Sequence, residues 1–245
     1  MFDETKFQEA LTLPRLQQPI PEFLPGNRAG GQVRTMNEAE LTAMTAQWFV
    51  DYEKKIEFYA DHGFDIGWTL EWAKKYWWSW MMRDMSLNHE LYTPDLRYKD
   101  PTTFGRVIVG HEEFVAYNFA FLDAITDWRY DPLPGQVYID MSPDGELRMC
   151  IRYVGTGHFG GSLRFYPYDD SAPTLHGNGT FVQCTAVDRY HFTPDGLMYE
   201  GETLFDLLDA TQSAGILPGD NSLLFKSLIG ASKIPAAIHR LRSRF

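Results

Sequence analysis

Cysteine is scarce in this 245-residue chain, basic residues are outnumbered by acids, and long apolar runs are missing. Two cysteines, Cys150 and Cys184, cannot build a disulfide framework, and both lie in strand-like stretches where a thiol serves as a small buried hydrophobe. No stretch approaches about 18 uninterrupted apolar residues, so no segment is expected to span a bilayer. The opening MFDETKFQEA is acidic and polar where a secretory signal needs a basic flank and an apolar stretch, and a cytoplasmic protein is expected. Lysine and arginine total 22 against 33 acids, a net charge of −11. Such a surface repels phosphate backbones and anionic lipid, so neither nucleic acid nor membrane is an expected partner. No His, Cys and carboxylate set shows metal-ligand spacing, and no Gly-x-Ser-x-Gly elbow offers a serine nucleophile. Gly155 to Gly160 spells GxGxxG after a strand, but the following GSLRFYPYDDSAP cannot open the helix N-terminus that would hold a pyrophosphate. Asn178-Gly179-Thr180 is a glycosylation sequon on paper and, without an export signal, only a turn. No metal and no cofactor are expected, and any chemistry falls to ordinary acids and bases.

What is present has a clear order. With 44% apolar residues the chain is enough for one core, and one domain with extensions is expected: residues 1–60 as an arm and extra helix, 61–220 as the main body, 221–245 as a basic tail. Residues 14–31 hold four prolines and three glycines, which excludes a continuous helix and predicts an extended arm. Asn37 followed by Glu40 forms a capping-box pattern ahead of Leu41, Met44, Trp48, Tyr52, Ile56 and Tyr59 at helical spacing, ended by His62-Gly63. Asp65 is placed to cap a second helix running to about residue 84, in which Trp68, Trp72, Tyr76 and Trp80 share a face. Trp78 falls among Glu71, Lys74 and Lys75 on the polar side, so a cover from the arm or another subunit is expected. A short helical turn is predicted at 86–92, an extended piece from Asp95 to Asp100, and a helix after Gly110 with Phe114, Tyr117, Phe121 and Ile125 on one face.

From about residue 136 the pattern turns to strands: QVYIDM, ELRMCIRYVGTGHF, TFVQCTAVDRYHF and LMYEGETLF, with tight turns at Ser142–Gly145 and Thr193–Gly196. Helices followed by a strand meander predict an α+β fold, a curved antiparallel sheet wrapped around the N-terminal helices to enclose a cone-shaped cavity. The basic tail on an acidic body is expected to dock on its own surface or on a sister subunit, and the chain is expected to form a homo-oligomer.

Three residues stand out within this frame. Asp188 interrupts an apolar strand, where burial without a partner is costly and raises a carboxyl pKa; alternation puts Cys184, Ala186, Asp188 and Tyr190 on one face. If that face lines the cavity, Asp188 stays neutral and donates a hydrogen bond. Asp100, at a strand end open to water, is the better ionised base. Tyr76 sits in the tryptophan helix.

At these residues the chain resembles nuclear transport factor 2-like proteins, in particular Δ5-3-ketosteroid isomerases and SnoaL-like polyketide cyclases. KKYWWSWMMRDMSLNHELYTPDLRYKDPTTFG is similar to the first half of that fold, and Tyr76 stands 24 positions before Asp100, as the isomerases space their oxyanion-hole tyrosine and basic aspartate. AVDRYHFTPDGLM resembles the strand that bears their protonated aspartate, with Asp188 in its place, while GTGHFGG and MYEGETLFDLLDATQSAGIL are similar to the cyclase pattern and place a histidine at His158 and an aspartate at Asp206. The resemblance covers residues 68–217. It implies proton abstraction by Asp100, with Tyr76 and neutral Asp188 stabilising an enolate or phenolate oxygen.

His158 at the pocket rim would move a second proton and permit elimination, and Arg152, of the same strand parity, would suit an oxygenated substrate if both face inward. Glu200, Glu202 and Asp206 share one face of the next strand, where Asp206 is expected to fix the strand end. Trp68, Trp72 and Trp80, with Tyr117, Phe121 and Tyr190, are the expected walls for a bulky aromatic or polycyclic ligand. Within the superfamily, lyases that release formaldehyde from lignin-derived diarylpropanes fit that aromatic load. The expected function is therefore a cofactor-independent lyase; the competing expectations are a ketosteroid-type isomerase or polyketide cyclase, and a non-catalytic small-molecule carrier.

Overall fold

The computed structural model describes residues 2–12, 37–169, 171–231 and 233–235. The expected extended arm at 14–31 and residues 236–245 of the basic tail lie outside them. The first element is a helix, α1 (Glu4–Ala10), which Asp3 caps by accepting from the Thr5 and Lys6 amides. Its Phe7 is fully buried against Phe49 and Trp77, and Phe2 meets Trp78 edge-on at 5.7 Å. Trp78 is thus covered by residues ahead of the expected arm, and its indole N–H donates to Asp84 at 3.2 Å.

Helix α2 (Glu38–Asp61) begins with the expected capping box between Asn37 and Glu40, worth about 1 kcal/mol. It ends at His62, with Gly63 at φ +84°, a backbone state open to glycine. A buried ion pair between Arg129 and Asp131, 2.7 Å, also receives the Thr45 hydroxyl and ties α2 to the sheet. Helix α3 (Trp68–Met81) differs from expectation at both ends: Gly67 takes the N-cap position with no side-chain cap, so Asp65 does not serve, and the helix stops before Arg83, which is left-handed at φ +54°. Helices α4 (Asn88–Leu91) and α5 (Gly110–Ala124) follow.

The strands are β1 (Tyr92–Lys99), β2 (Ile108–Val109), β3 (Arg129–Met141), β4 (Leu147–Phe159), β5 (Ser162–Arg164), β6 (Thr174–His176), β7 (Thr180–Phe192) and β8 (Met198–Phe205). Six form one sheet in the order β2-β1-β8-β7-β4-β3, while β5 and β6 make a separate hairpin. The fold is α+β as expected, but the sheet is mixed rather than antiparallel, because β1 runs parallel to β8. It also remains open, with β2 and β3 at its edges. Register shifts with extra residues in β1, β3 and β8 mark irregularities of the kind that bend a strand.

The inner face of the sheet carries the core, which is continuous with α1, α2 and α3. Gly155 and Gly157 of the GxGxxG string sit inside β4, where a side chain at Gly155 would come within 2.1 Å of the Trp128 ring. These glycines admit close packing over the strand, and no helix follows them. The chain closes with α6 (Leu207–Ser213) and α7 (Leu223–Ala231). Helix α7 has no fully buried residue, and its Leu223 is 84% exposed. No described helix is long and apolar enough to cross a membrane.

Candidate active site

Helices α3, α5 and α6, the β5–β6 hairpin and the inner face of the sheet enclose a cavity of about 570 Å³, the size of a small-molecule site. Twelve aromatic side chains line it, Trp80, Phe121, Trp128, Tyr130, Tyr153 and Phe205 among them. Asp100 is the one charged residue among the described lining residues, and no lysine, arginine or histidine faces it there. A neutral, flat, largely apolar ligand matches such walls.

Asp100 follows β1 directly and caps the 3-10 turn Pro101–Thr103. One carboxylate oxygen accepts from the Thr102 amide and hydroxyl, both at 2.7 Å, and from the Thr103 amide at 3.2 Å. The other accepts from the Tyr117 hydroxyl and lies 3.5 Å from that of Tyr98. Burial pushes the Asp100 carboxyl above the usual range, and the hydrogen bonds from Tyr117 and Thr102 pull part of that back. The strand-end aspartate is therefore a held group, a stronger base than a water-exposed carboxylate.

Asp188 lies on the inward face of β7 with Ala186 and Tyr190, 1% exposed. It does not itself reach the cavity surface, whereas its partners Tyr76 and Thr203 do. Its Oδ1 accepts from Thr203 Oγ1 at 2.5 Å, and its Oδ2 from Tyr190 at 2.6 Å and Tyr76 at 3.3 Å. The Tyr130 hydroxyl is buried nearby without a hydrogen bond of normal geometry. Burial raises the Asp188 pKa to about 6, against the pull of these hydroxyls. In this arrangement the group accepts three hydroxyl protons instead of donating to a ligand. The phenols of Tyr76, Tyr98, Tyr117 and Tyr130 are pushed well above their ordinary value, first by burial and then by the neighbouring carboxylates, and stay protonated donors.

The other expected residues divide. Trp80, Tyr117 and Phe121 line the cavity with Tyr76 and Asp100. Trp72, stacked on Tyr76 at 4.9 Å, and Tyr190 form the layer behind it, while Trp68 packs on Phe192 farther out. Arg152 and His158 correct the expectation of inward groups. Alternation along β4 turns Ile151, Tyr153, Gly155 and Phe159 inward, so both even-numbered residues face outward. Arg152 is exposed and bonds Gln136, and His158 Nδ1 pairs with buried Asp127 at 2.7 Å. His158 thereby locks the turn before β3 to β4. Asp206 caps α6, and Glu200 and Glu202 pair with Arg189 on the outer face. Cys150 and Cys184 are free thiols, Cys184 at the cavity wall with its pKa raised by burial to about 12. No group of three or more His, Cys, Asp or Glu with metal-binding geometry occurs among the described residues.

Sequence reasoning missed Tyr98, Thr102 and Thr203. Tyr98 shares strand parity with Asp100 two residues on, which is a readable signal; Thr203 becomes significant only because the β7–β8 register sets it opposite Asp188.

No family model matches the chain, and no curated protein does. Several solved structures are similar. TsrD from Streptomyces laurentii is 15% identical, over 63% of this chain and 99% of that one, with a TM-score of 0.49. A protein assigned as a SnoaL-like polyketide cyclase from Jannaschia sp. CCS1 is 17% identical, over 77% and 100%, with a TM-score of 0.42. An NTF2-like protein of unknown function from Burkholderia pseudomallei is 16% identical, over 59% and 95%, with a TM-score of 0.43. The latter two carry the superfamily names that the residues resemble. At this level the likeness concerns architecture alone.

Proposed function

We propose that the protein is a cofactor-independent acid/base enzyme acting on a bulky, hydroxylated aromatic small molecule, with Asp100 as the base. One observation carries this reading: a held carboxylate with a raised pKa stands among phenol hydroxyls in a cavity whose other walls are aromatic and largely apolar. A carboxylate of that kind draws a proton from a carbon or phenol, and Tyr76 and Tyr117 are cavity-facing donors for the oxygen that becomes negative. Each such donor is worth roughly 3 kcal/mol where it fits the charged oxygen. Loss of water or formaldehyde from a phenolic diarylpropane is the lyase form of this chemistry, supported by the aromatic walls. Reprotonation at another carbon is the isomerase or cyclase form. It is supported by the outward position of His158, which removes the histidine that elimination was expected to use.

Incubation of the full chain with a phenolic diarylpropane bearing a primary hydroxyl, and separately with a β,γ-unsaturated ketosteroid, discriminates these forms by product analysis. A stilbene with one equivalent of formaldehyde establishes the lyase, and a conjugated ketone the isomerase. Tight binding of both compounds with neither product overturns the enzyme reading in favour of a carrier.

A further inference from the structure

We propose that Asp100 and Asp188 are the two ends of one buried hydroxyl relay through Tyr98 and Thr203, which passes a proton captured at Asp100 to Asp188 and thereby releases Tyr76 toward the substrate. This rests on the acid/base reading of the cavity.

The path is continuous. Tyr98 Oη lies 3.5 Å from Asp100 Oδ2 and donates to Thr203 Oγ1 at 2.8 Å, and Thr203 Oγ1 donates to Asp188 Oδ1 at 2.5 Å. Tyr98 and Thr203 are 5% and 6% exposed, so bulk water does not compete along the way. Three strands build it: Tyr98 from β1, Thr203 from β8, Asp188 from β7. The parallel pairing of β1 with β8 sets Tyr98 beside Gly201, where a Cβ would stand 3.1 Å from the Tyr98 ring. A glycine there lets the phenol lie flat against β8 and reach Thr203. The 3.5 Å link at Asp100 is the loose step, of the kind that tightens when a ligand fills a site.

From Tyr98 to Asp188 the hydrogens already run in the required direction, and at the first link Asp100, once protonated, becomes the donor in place of Tyr98. When Asp100 Oδ2 takes a substrate proton, the broken C–H or O–H bond leaves its electron pair on the substrate as an enolate or phenolate. Asp100 then donates that proton to Tyr98 Oη, Tyr98 gives its own to Thr203 Oγ1, and Thr203 gives its own to Asp188 Oδ1. Asp100 is again a carboxylate, Asp188 is a neutral acid, and both hydroxyls are restored. A neutral carboxyl holds a phenol less strongly than a carboxylate does. The Tyr76 hydroxyl, now bound to Asp188 Oδ2 at 3.3 Å and set in the cavity wall, is freed to donate to the new oxyanion.

The surroundings of Asp188 support its storing the proton. Tyr76 from α3, Tyr92 and Tyr98 from β1, Tyr130 from β3, Tyr153 from β4 and Tyr190 from its own strand all have phenols raised by burial. The thiol of Cys150 is raised too, and that of Cys184 to about 12. Of the groups around it, Asp188, at about 6, is the one that changes charge near neutrality.

The test uses the full chain with ¹³C-labelled aspartate carboxyls, the Asp188 resonance being assigned by its loss in Asp188→Asn. In wild type and in Thr203→Ser, which keeps the hydroxyl, Asp100→Asn is expected to lower the Asp188 midpoint by half a pH unit or more. In Thr203→Val, which removes it, the same change is expected to leave the midpoint within a tenth or two. Equal shifts in the valine and serine backgrounds overturn the relay, and so does the absence of any shift. Tyr98→Phe cuts the path at its other link and is expected to behave like Thr203→Val, which guards against a local packing effect at residue 203. On a substrate that is turned over, Thr203→Val is expected to lower kcat tenfold or more with KM within twofold, and Thr203→Ser to restore it. Carboxyl coupling without turnover of any compound refutes the acid/base reading and leaves the hydroxyl path coupling the two carboxyls with no substrate proton to carry; turnover insensitive to both cuts refutes the relay and keeps the acid/base reading.

Discussion

The inside and the outside of one sheet carry carboxylates in opposite electrostatic states. On the inner face, Asp188 is enclosed by hydroxyls and aromatic rings, and burial lifts its pKa to about 6. In the turn ahead of β4, against outer-face residues of β7 and β8, Glu146 accepts from Tyr199 and Arg148 and pairs with His191 at 2.6 Å, and these partners lower it to about 2. Asp188 is held inside the sheet on β7, whereas Glu146 stands in the turn just before β4 with its partners at the solvent side, and that difference in burial decides whether a carboxylate exchanges protons near neutrality or stays a fixed anion. Burial, then, sets the chemistry more than residue type does. Arg152 and His158, chemically suited to catalysis, lie on the wrong side for it.

Substitutions on each face test this contrast, the largest effects first. Asp100→Asn keeps the shape of the cap and removes the base, and is expected to lower turnover about a thousandfold with a melting temperature nearly unchanged. Unchanged turnover would falsify Asp100 as the base. Asp188→Asn removes a group whose folded pKa is above its unfolded value. The folded protein binds the extra proton, so the stability of wild type relative to the variant is expected to fall as pH rises from about 4 to about 6, by about 3 kcal/mol in all. Paired denaturant titrations across that range measure it, and a flat difference contradicts the burial of an unpaired charge.

His158→Ala is expected to cost about 1–2 kcal/mol of stability, since Asp127 loses one partner while keeping the His158 amide. Turnover well below the melting temperature should be unaffected; a selective loss of kcat would return His158 to the chemistry. Glu146→Gln has the opposite pH sign to Asp188→Asn. Its contribution is present above about 4.5 and lost as pH falls toward 2, and it amounts to no more than about 1 kcal/mol because the cluster is solvent-screened. The same denaturant series reads it.

Much of the architecture was legible because helical and strand periods are local. The capping box at Asn37, the four-residue recurrence from Trp68 to Trp80 and both tight turns depend only on neighbouring residues. Tyr76, Asp100, Tyr117 and Phe121 were readable as wall residues for the same reason, being one helical face each and a strand end. In β4 the signal failed where it was needed. Met149, Ile151 and Tyr153 mark the odd positions as inward, but the following inward positions are glycines, whose missing side chains make room for Trp128 and Ile125 and erase the apolar pattern beside His158. Asp65 failed as a cap because α3 starts two residues later than its spacing requires. The Tyr98–Thr203 link depends on β1 lying parallel to β8 and on the β7–β8 register, which are long-range pairings with no local trace. The parallel edge is also what kept the sheet from being the all-antiparallel meander that the strand order implied.

The contrast between the faces is tested most directly by a crystal structure of the full chain with a neutral phenolic diarylpropane bound. The ligand rings are expected among Trp80, Phe121 and Trp128, with a ligand oxygen in hydrogen-bond reach of Asp100, Tyr117 or Tyr76. A ligand seated against His158 or Arg152, with the aromatic cavity empty, would contradict it.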